Sequence, residues 1–531
     1  MSNVLPIFST IRNEWKAIEE TPVLGKDVLE LLSSSMYVNP LSVYREYIQN
    51  SADSVEEACA IGLLARPTDG RVEIDINPAE RTVRIRDNGT GVEQSKFVSR
   101  LVALGASRKR GLKARGFRGV GRLAGLGYCQ ELVFRSRAEG EKEVSELRWD
   151  CRALKMNLRD PKFSEQLSAL ISRVVRTRLG VDNNYPDRFF EVEMSGVLRN
   201  GNDLLMNARA VSAYLSQVAP VPFAPDFSHG VQLNNFLASA VPMGNVSIYV
   251  NGSPEPLYRP HRDVFVARKG VNDTLGDVNV REFRGSNGSL SAIAWWGNHG
   301  YLGAISSEAG IGGLRLRCGN VQVGEHDLLN DLFQESRFNS WIVGEVHVLD
   351  ERILPNGRRD HFEQSVHFSD LLTQLGPLAH ELGKKCRESS IQRNALREYQ
   401  TKRKLIEGNL LILKQGALSG ERVRQIESDT RTALDVLRRF NGGRIKDERL
   451  LRVMARKTET LRVRAEAVFA KTHTAPALKS KSRADRSRFE QIFGMIYECS
   501  PEHDIAKTLV DRILKKLDAG EKADDRKPSS R

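Results

Sequence analysis

Residues that build disulfides and metal sites are scarce in this sequence. Its 531 residues include only six cysteines, and no two of these have the CxxC spacing that is typical of zinc and redox sites. The ten histidines form no HExxH or similar motif, and His361 and His367 are better explained as a surface pair than as metal ligands. We therefore expect reduced thiols, as in an intracellular protein.

Long apolar runs are absent as well. No uninterrupted stretch has the length needed to cross a bilayer, and the N-terminus lacks a basic segment followed by an apolar run. With 40% hydrophobic and 28% charged residues, the composition is that of an ordinary soluble protein. These features predict a cytoplasmic protein without a membrane partner, and the length predicts about three or four domains.

A helix predicted after Asn39 carries three polar residues on one face. Asn39 is a favourable N-cap, and Pro40 suits the first helical position because its missing N–H costs nothing there. Glu46, Asn50 and Asp53 follow at spacings i, i+4 and i+7, which aligns them. Such a set can activate water, hold a hard cation through oxygen and anchor waters around that cation. Taken alone, the stripe is better explained as a solvated helix face.

The next stretch combines a strand with a glycine turn. Residues 71–76 and 81–86 alternate in polarity as the two strands of a hairpin, and the second strand ends at Asp87. Gly89 and Gly91 then allow the backbone to turn sharply and to approach a ligand. A carboxylate at this position can accept a hydrogen bond from the amino group of a purine. An ordinary β-turn is the alternative.

A glycine-rich loop stands further along the chain. It contains Gly116, Gly119 and Gly121 and runs through Arg122 into an apolar helix, so its backbone N–H groups are suited to binding phosphate. The sequence has no GxxxxGK[ST] motif, which excludes a P-loop site. Residues 93–115 before the loop are predicted to form a helix and then a basic, glycine-containing segment, our candidate for a lid over the nucleotide.

Together and in this order, the three stretches resemble the nucleotide-binding motifs of the GHKL ATPase superfamily. This superfamily includes gyrase B, HtpG-like heat-shock chaperones, histidine kinases and MutL. Residues 31–32, 36–37, 39, 45–46, 48 and 50–53 resemble the opening helices of the chaperone branch. Residues 116–119, with the sequence GFRG, are more similar to MutL.

The resemblance implies a site for ATP and Mg²⁺. In that site Glu46 orients or deprotonates the attacking water, Asn50 holds Mg²⁺, and Asp87 binds the adenine. Its glycines cradle the phosphates. The remaining residues that the resemblance assigns to nucleotide binding are Asp53, Gly89, Gly91, Gly116, Gly119, Gly121 and Arg122. The chaperone branch also has a strand threonine at the nucleotide, but we cannot assign one, because Glu193 and Ser195 occupy the corresponding run.

A second resemblance lies far from the first. Residues 353–362, with the sequence ILPNGRRDHF, resemble a middle-domain loop of HtpG-like chaperones in which an arginine reaches the γ-phosphate. Local alignment places Arg359 in that role as a second catalytic residue, with Arg358 as a near-equal rival. A plain basic loop is the alternative.

The fold class that follows is α+β. We expect a Bergerat-fold α/β sandwich over residues 1–225 and an α/β, transducer-like middle domain over residues 226–370. A basic helical region with a flexible tail should occupy residues 371–531. Local patterns add a helix over residues 164–177, a flexible linker over residues 472–487 and a disordered tail from Gly520.

Charge and resemblance together define the expected partners. Residues 371–531 contain 36 Lys and Arg against 22 Asp and Glu, a net charge of +14, which permits contact with DNA. A solvated helical surface is the alternative. The resemblance implies a homodimer that closes when nucleotide binds. We expect an HtpG-like chaperone or remodelling ATPase acting on protein clients. A MutL-like or MORC-like DNA clamp and a nucleotide-switched regulator in stress response or phage defence are the alternatives.

Overall fold

The computed structural model describes nine stretches of the chain: residues 39–103, 121–160, 166–181, 184–199, 201–268, 270–285, 288–440, 444–471 and 473–524. Residues 31–32 and 36–37, which resemble the chaperone branch, lie outside these residues, as do the basic part of the candidate lid, Gly116 and Gly119. The chain divides into two compact units, with the boundary between Gly383 and Lys384. None of the described helices has both the length and the apolar composition needed to cross a membrane.

Helix α1, Ser42–Ala60, is the central helix of the first unit. Asn39 caps the turn that precedes it, since its Oδ1 accepts a hydrogen bond from the Leu41 N–H at 3.0 Å. The prediction that Asn39 is the N-cap of the helix and Pro40 its first residue is wrong, because the helix begins at Ser42 with Leu41 at the N-cap. Its apolar face is fully buried in the main core, where Tyr44 and Ile48 pack with apolar side chains of the sheet. The opposite face is free to carry polar groups.

A seven-stranded sheet supports α1. Its strands are Arg71–Asn77 (β1), Thr82–Asp87 (β2), Glu131–Arg137 (β3), Val144–Asp150 (β4), Val175–Gly180 (β5), Phe189–Ser195 (β6) and Ser247–Val250 (β7). The order across the sheet is β5-β4-β3-β6-β2-β1-β7. The predicted hairpin is confirmed, because β1 pairs with β2 in antiparallel register. Strand β7 pairs with β1 in parallel and forms one edge of the sheet, although its residues come much later in the sequence than those of β1.

Further helices in the described part of this unit are Gln94–Val102 (α2), Cys151–Arg159 (α3), Leu167–Val174 (α4), Ala208–Val218 (α5) and Gly230–Ala238 (α6). The single helix predicted over residues 164–177 is wrong in its last part. Val175 starts β5 instead, because Val175 and Thr177 pair with β4 opposite Trp149 and Leu147. Both residues are β-branched, and a pleated edge suits them better than a helix.

A five-stranded sheet follows in the same unit, together with a two-stranded hairpin. Their strands are Val264–Arg268 (β8), Val271–Thr274 (β9), Val278–Arg284 (β10), Leu290–Gly297 (β11), Gly313–Cys318 (β12), Val321–Gln322 (β13) and Val343–Val348 (β14). The larger sheet has the order β10-β11-β14-β12-β13, and β8 pairs with β9. Aromatic and β-branched side chains such as Trp295, Ile293 and Val343 form its core. The molecule is thus α+β in class, as predicted.

The second unit is helical where the structure describes it. The helices from the end of the middle region onward are Val366–Gln415 (α7), Gly420–Arg438 (α8), Glu448–Phe469 (α9), Pro476–Lys479 (α10), Arg483–Cys499 (α11) and His503–Asp524 (α12). Two predictions were wrong here. Helix α11 replaces part of the linker predicted over residues 472–487, because Ser482 caps its N-terminus and Phe493 is fully buried. Helix α12 continues past Gly520 to Asp524.

Candidate nucleotide site

The Glu46 carboxylate lies at the meeting point of three segments of the chain. Glu46 is on α1 and only 8% exposed. The Arg45 guanidinium lies 3.3 Å from Glu46 Oε1, and Arg359 Nε lies 3.6 Å from the same oxygen. Gly121 completes the enclosure, because a Cβ atom added there would stand 2.5 Å from Glu46 Oε2. Residues far apart in sequence thus surround one buried carboxylate.

The loop that carries Arg359 is a tight turn between Pro355 and Phe362, which form an isolated β-bridge. Arg359 has a φ of +57°, and its N–H donates to the Asn356 carbonyl at 3.1 Å. This left-handed conformation directs the two neighbouring arginines differently. The Arg359 side chain is buried, whereas Arg358 is exposed. The Arg358 backbone carbonyl accepts a hydrogen bond of 2.9 Å from Arg45. Of the two candidates, Arg359 is therefore the one whose side chain lies beside Glu46.

Asp87 ends β2 with a buried carboxyl that has two donors. The Ser51 hydroxyl of α1 donates to Oδ2 at 2.8 Å, and the Gly89 N–H donates to Oδ1 at 2.9 Å. These hydrogen bonds and the charges of Arg100 and Arg188 favour the anion. Burial opposes them and is the larger effect, so it raises the pKa of Asp87 to about 7. Each carboxyl oxygen keeps a lone pair for a further donor.

The two glycines after Asp87 are required by close packing. A Cβ atom at Gly89 would lie 2.2 Å from the Ser54 hydroxyl oxygen of α1. At Gly91, where φ is +68°, a Cβ atom would lie 2.4 Å from the Arg137 carbonyl oxygen. Any side chain at either position would push the turn away from α1 and β3. The glycines therefore hold the Asp87 turn against the helix that carries Glu46.

Beyond Gly121 the chain continues as a 3₁₀ stretch, Gly121–Gly127, which is held against α1. The Tyr47 hydroxyl donates to the Arg122 carbonyl at 3.2 Å and accepts from the Gly125 N–H at 3.0 Å. The Arg122 guanidinium donates to the Ala103 carbonyl, and burial lowers its pKa to about 10. This segment places Gly121 at the Glu46 carboxylate and the partly buried Arg122 guanidinium at the end of α2.

Asn50 and Asp53 share a face of α1 with Glu46, as the sequence spacing predicts. Asp53 is 7% exposed, and Asn50 is half-buried. Amide and carboxylate oxygens are ligands that suit Mg²⁺. Among the described residues, no group of three His, Cys, Asp or Glu side chains is placed to hold a metal ion. A Mg²⁺ ion at Asn50 would therefore need most of its ligands from nucleotide phosphates and water, which is a common arrangement for this ion.

Sequence reasoning missed Gln49, which is 1% exposed on α1, between Glu46 and Asp53 in the helical register. Neither atom of its amide has a hydrogen-bond partner among the residues that the structure describes. The strand threonine also has no counterpart opposite Asp87. The residue paired with Asp87 on β6 is Phe190, so that position carries an aromatic ring instead of a hydroxyl. For Gln49, only one indication was present in the sequence, namely its position immediately before the predicted site residue Asn50.

Comparisons with known proteins agree with the geometry. Residues 38–173 match the family model described as "Histidine kinase-, DNA gyrase B-, and HSP90-like ATPase". The chain is also similar to the chaperone protein HtpG of Polaromonas naphthalenivorans, with 27% identity over 139 residues. That match covers 23% of this chain and 22% of the relative. This part of the chain is a GHKL-type ATPase domain that resembles HtpG.

Two further HtpG proteins show the same extent of similarity. HtpG of Coxiella burnetii is 26% identical over 142 residues, which cover 24% of this chain and 22% of the relative. HtpG of Escherichia coli K12 is 27% identical over 143 residues, which cover 24% of this chain and 23% of the relative. The chain therefore matches less than a quarter of the length of these relatives.

The boundaries of the GHKL match separate the site residues into two groups. Glu46, Asn50, Asp87 and the glycines beside them fall within residues 38–173. Arg359 falls outside, in the five-stranded-sheet region. Its place beside Glu46 therefore rests on the contact geometry and on the loop resemblance.

Proposed function

We propose that this protein binds ATP with Mg²⁺ and hydrolyses it to ADP and phosphate. The observation that carries the proposal is the buried Glu46 carboxylate, with Arg359 on one oxygen and Gly121 packed against the other. A carboxylate and a cation at one point suit a water attack on a phosphate whose charge must be stabilised. The GHKL match supports the same chemistry.

Each site residue has a distinct role in this mechanism. Asp87 accepts a hydrogen bond from the adenine amino group. Asn50 would hold Mg²⁺, which neutralises part of the phosphate charge when it is bound. Glu46 orients the attacking water or takes its proton while the water oxygen bonds to the γ-phosphorus. The bond from that phosphorus to the β–γ bridging oxygen breaks, and ADP leaves with the electron pair. The remaining contacts to the nucleotide come from Asp53, Gly89, Gly91, Gly116, Gly119, Gly121 and Arg122.

The arginines at Glu46 connect binding to chemistry. Arg45 and Arg359 both lie against the Glu46 carboxylate. A γ-phosphate entering beside Glu46 carries more negative charge than the carboxylate and competes for Arg359. The Glu46 carboxylate, no longer held by Arg359, would then be free to accept a hydrogen bond from the attacking water. Arg359 in turn stabilises the charge that develops on the phosphate oxygens.

Glu46→Ala tests the chemical role. It should abolish phosphate release and leave ATP binding largely intact, because the carboxylate acts on water and not on the nucleotide. Asp87→Asn is the contrasting variant and should lose ATP binding in calorimetry, because an amide donor would face the adenine amino group, at a cost of about 1–3 kcal/mol. Hydrolysis at the wild-type rate by Glu46→Ala would overturn the proposal.

The biological purpose that we infer is remodelling of protein clients by a homodimer that closes when ATP binds, in the cytoplasm. The ATPase region would comprise residues 1–225. A transducer-like region would follow over residues 226–370, and a helical region over residues 371–531. The HtpG relatives and the contact between Arg359 and Glu46 favour this purpose. The net charge of +14 on residues 371–531 favours the rival, a MutL-like or MORC-like DNA clamp. A nucleotide-switched regulator in stress response or phage defence is the remaining alternative.

The ATPase rate of the full chain, measured with DNA, with an unfolded protein and with neither, separates these purposes. Stimulation by unfolded protein alone supports remodelling. Stimulation by DNA, with an affinity that falls steeply as salt rises, supports the clamp, because bound phosphates release counterions. A rate that neither addition changes would favour the regulator.

A further inference from the structure

A series of buried and partly buried hydrogen bonds connects helix α5 to the loop that carries Arg359. The first residue of this series is Gln217, near the end of α5. The side-chain oxygen of Gln217 accepts a hydrogen bond of 3.0 Å from Arg315. Helix α5 packs through Val211 and Leu215 in the same core as α1. The starting point is therefore fixed relative to the helix that carries Glu46.

Arg315, on β12, is the next residue of this series and donates hydrogen bonds to more than one acceptor. It is 6% exposed, and the Nη1 that contacts Gln217 also donates to the Gln322 side-chain oxygen at 3.0 Å. Its Nε donates to the Gly312 carbonyl at 3.2 Å. Burial lowers the pKa of Arg315 to about 10, which leaves it charged at neutral pH. A buried guanidinium with several acceptors has little freedom to change its position.

Gln322 links Arg315 to the loop that carries Arg359. It is 1% exposed, and its Nε2 donates to the Gly324 carbonyl at 2.9 Å. The Gly324 N–H donates to the Arg359 carbonyl at 2.8 Å. Gly324 has a φ of +70°, and a Cβ atom there would lie 2.8 Å from the Asp360 carbonyl oxygen. The backbone on either side of Arg359 is therefore held through Gly324.

We propose that Arg315 and Gln322 are positioning residues that hold Arg359 at the Glu46 carboxylate by connecting α5 to Gly324. The inference rests on the proposed function, because it assigns the two residues to hydrolysis through Arg359. Arg315 and Gln322 together link the Gln217 side chain to the Gly324 carbonyl. An active-site cation displaced by about 1 Å can cost about 100-fold in rate.

Gln322→Leu is the test, measured in the full chain. It removes both amide contacts and nearly keeps the volume. We expect turnover at saturating ATP to fall by about tenfold or more while the Kd for ATP changes less than about twofold, since the adenine and phosphate contacts are untouched. Asn409→Leu is the matched control. Asn409 is also a buried amide, bonded to Thr430 in the second unit, and its loss should leave turnover unchanged.

A double-variant cycle separates positioning from general loss of structure. If Gln322 acts through Arg359, Gln322→Leu should lower turnover little further in an Arg359→Ala background. Should Gln322→Leu not fold, Gln322→Glu takes its place, because it keeps the acceptor for Arg315 and loses the donor to Gly324. Wild-type turnover in the single variant, or the same loss in both backgrounds, overturns the inference. Wild-type turnover in Arg359→Ala alone would instead overturn the proposed role of Arg359, and the inference with it.

Discussion

Asp87 combines a solvent-excluded carboxyl with donors on both of its oxygens. Because burial raises its pKa to about 7, the folded protein holds this proton more tightly than the unfolded chain does. The resulting contribution to stability is fully present below about pH 3.8 and is lost as the pH rises through about 7. The adenine amino group needs the ionised form as its acceptor. Nucleotide binding and folding stability thus place opposite demands on this residue.

ATP affinity should therefore depend on pH near neutrality. We expect the Kd for ATP to rise as the pH falls below about 7, by up to about tenfold per unit. Calorimetric titration across that range measures it. A purine nucleotide without the 6-amino group is the control, because its phosphates titrate like those of ATP while the Asp87 contact is missing. Identical pH dependence for both nucleotides would contradict the adenine role of Asp87.

Two buried glutamines give opposite predictions for stability. Among the described residues the Gln49 amide has no hydrogen-bond partner, whereas the Gln322 amide bonds to Arg315 and Gly324. Gln49→Leu should raise the free energy of unfolding of the nucleotide-free protein by about 1–3 kcal/mol, because an unpaired buried amide is removed. Gln322→Leu should lower it. Scanning calorimetry checks both variants, and a lower melting temperature for Gln49→Leu would indicate that its amide has a partner.

At the scale of elements, the 3₁₀ stretch Gly121–Gly127 lies so close to α1 that a methyl group at Gly121 would meet the Glu46 carboxylate, which must then move. Gly121→Ala should displace the Glu46 carboxylate and lower turnover at saturating ATP by about tenfold or more. Gly376→Ala is the matched control, because nothing lies within 4 Å of the added Cβ in helix α7. That variant should keep full turnover. Wild-type activity in Gly121→Ala would show that Glu46 tolerates the shift.

Elements with strong local patterns were predictable from the sequence. The period of α1 and the alternation of β1 and β2 are intrinsic to their own residues, so neighbouring elements were not needed to find them. The boundary at Val175 could not be found in this way, because pairing with β4 decides it. Helix α11 was missed because the basic residues that predicted a linker occupy its exposed side, and burial of Phe493 fixes the helix.

Residues of the site were predictable only where they belong to a sequence motif. Glu46 and Asp87 come from motifs within one region, and the structure brings α1 and the Asp87 turn together through Ser51. Arg359 came from the resemblance of its loop to a middle-domain loop. The path from α5 through Arg315 to Gly324 has no sequence signature, because it depends on contacts between residues far apart in the chain.

At the scale of the whole molecule, two compact units divide the proposed activities. The first unit contains every described residue that we assign to ATP hydrolysis, including Arg359. The basic excess belongs to residues 371–531, since the rest of the chain has 44 Lys and Arg against 45 Asp and Glu. Chemistry and polyanion binding would thus be features of different parts of the molecule. The ATPase rate measured with DNA or with unfolded protein reports whether these two activities are coupled.

The most direct measurement is phosphate release at saturating ATP by Arg359→Ala, with Arg358→Ala as the neighbouring control. A cation that stabilises the transition state more than bound ATP should affect turnover much more than affinity. We predict that Arg359→Ala loses about 100-fold or more in turnover with a nearly unchanged Kd for ATP, and that Arg359→Lys recovers only part. Arg358→Ala should stay near wild type. Equal turnover in wild type and Arg359→Ala, or a severe loss confined to Arg358→Ala, would contradict a catalytic site built from Glu46 and Arg359.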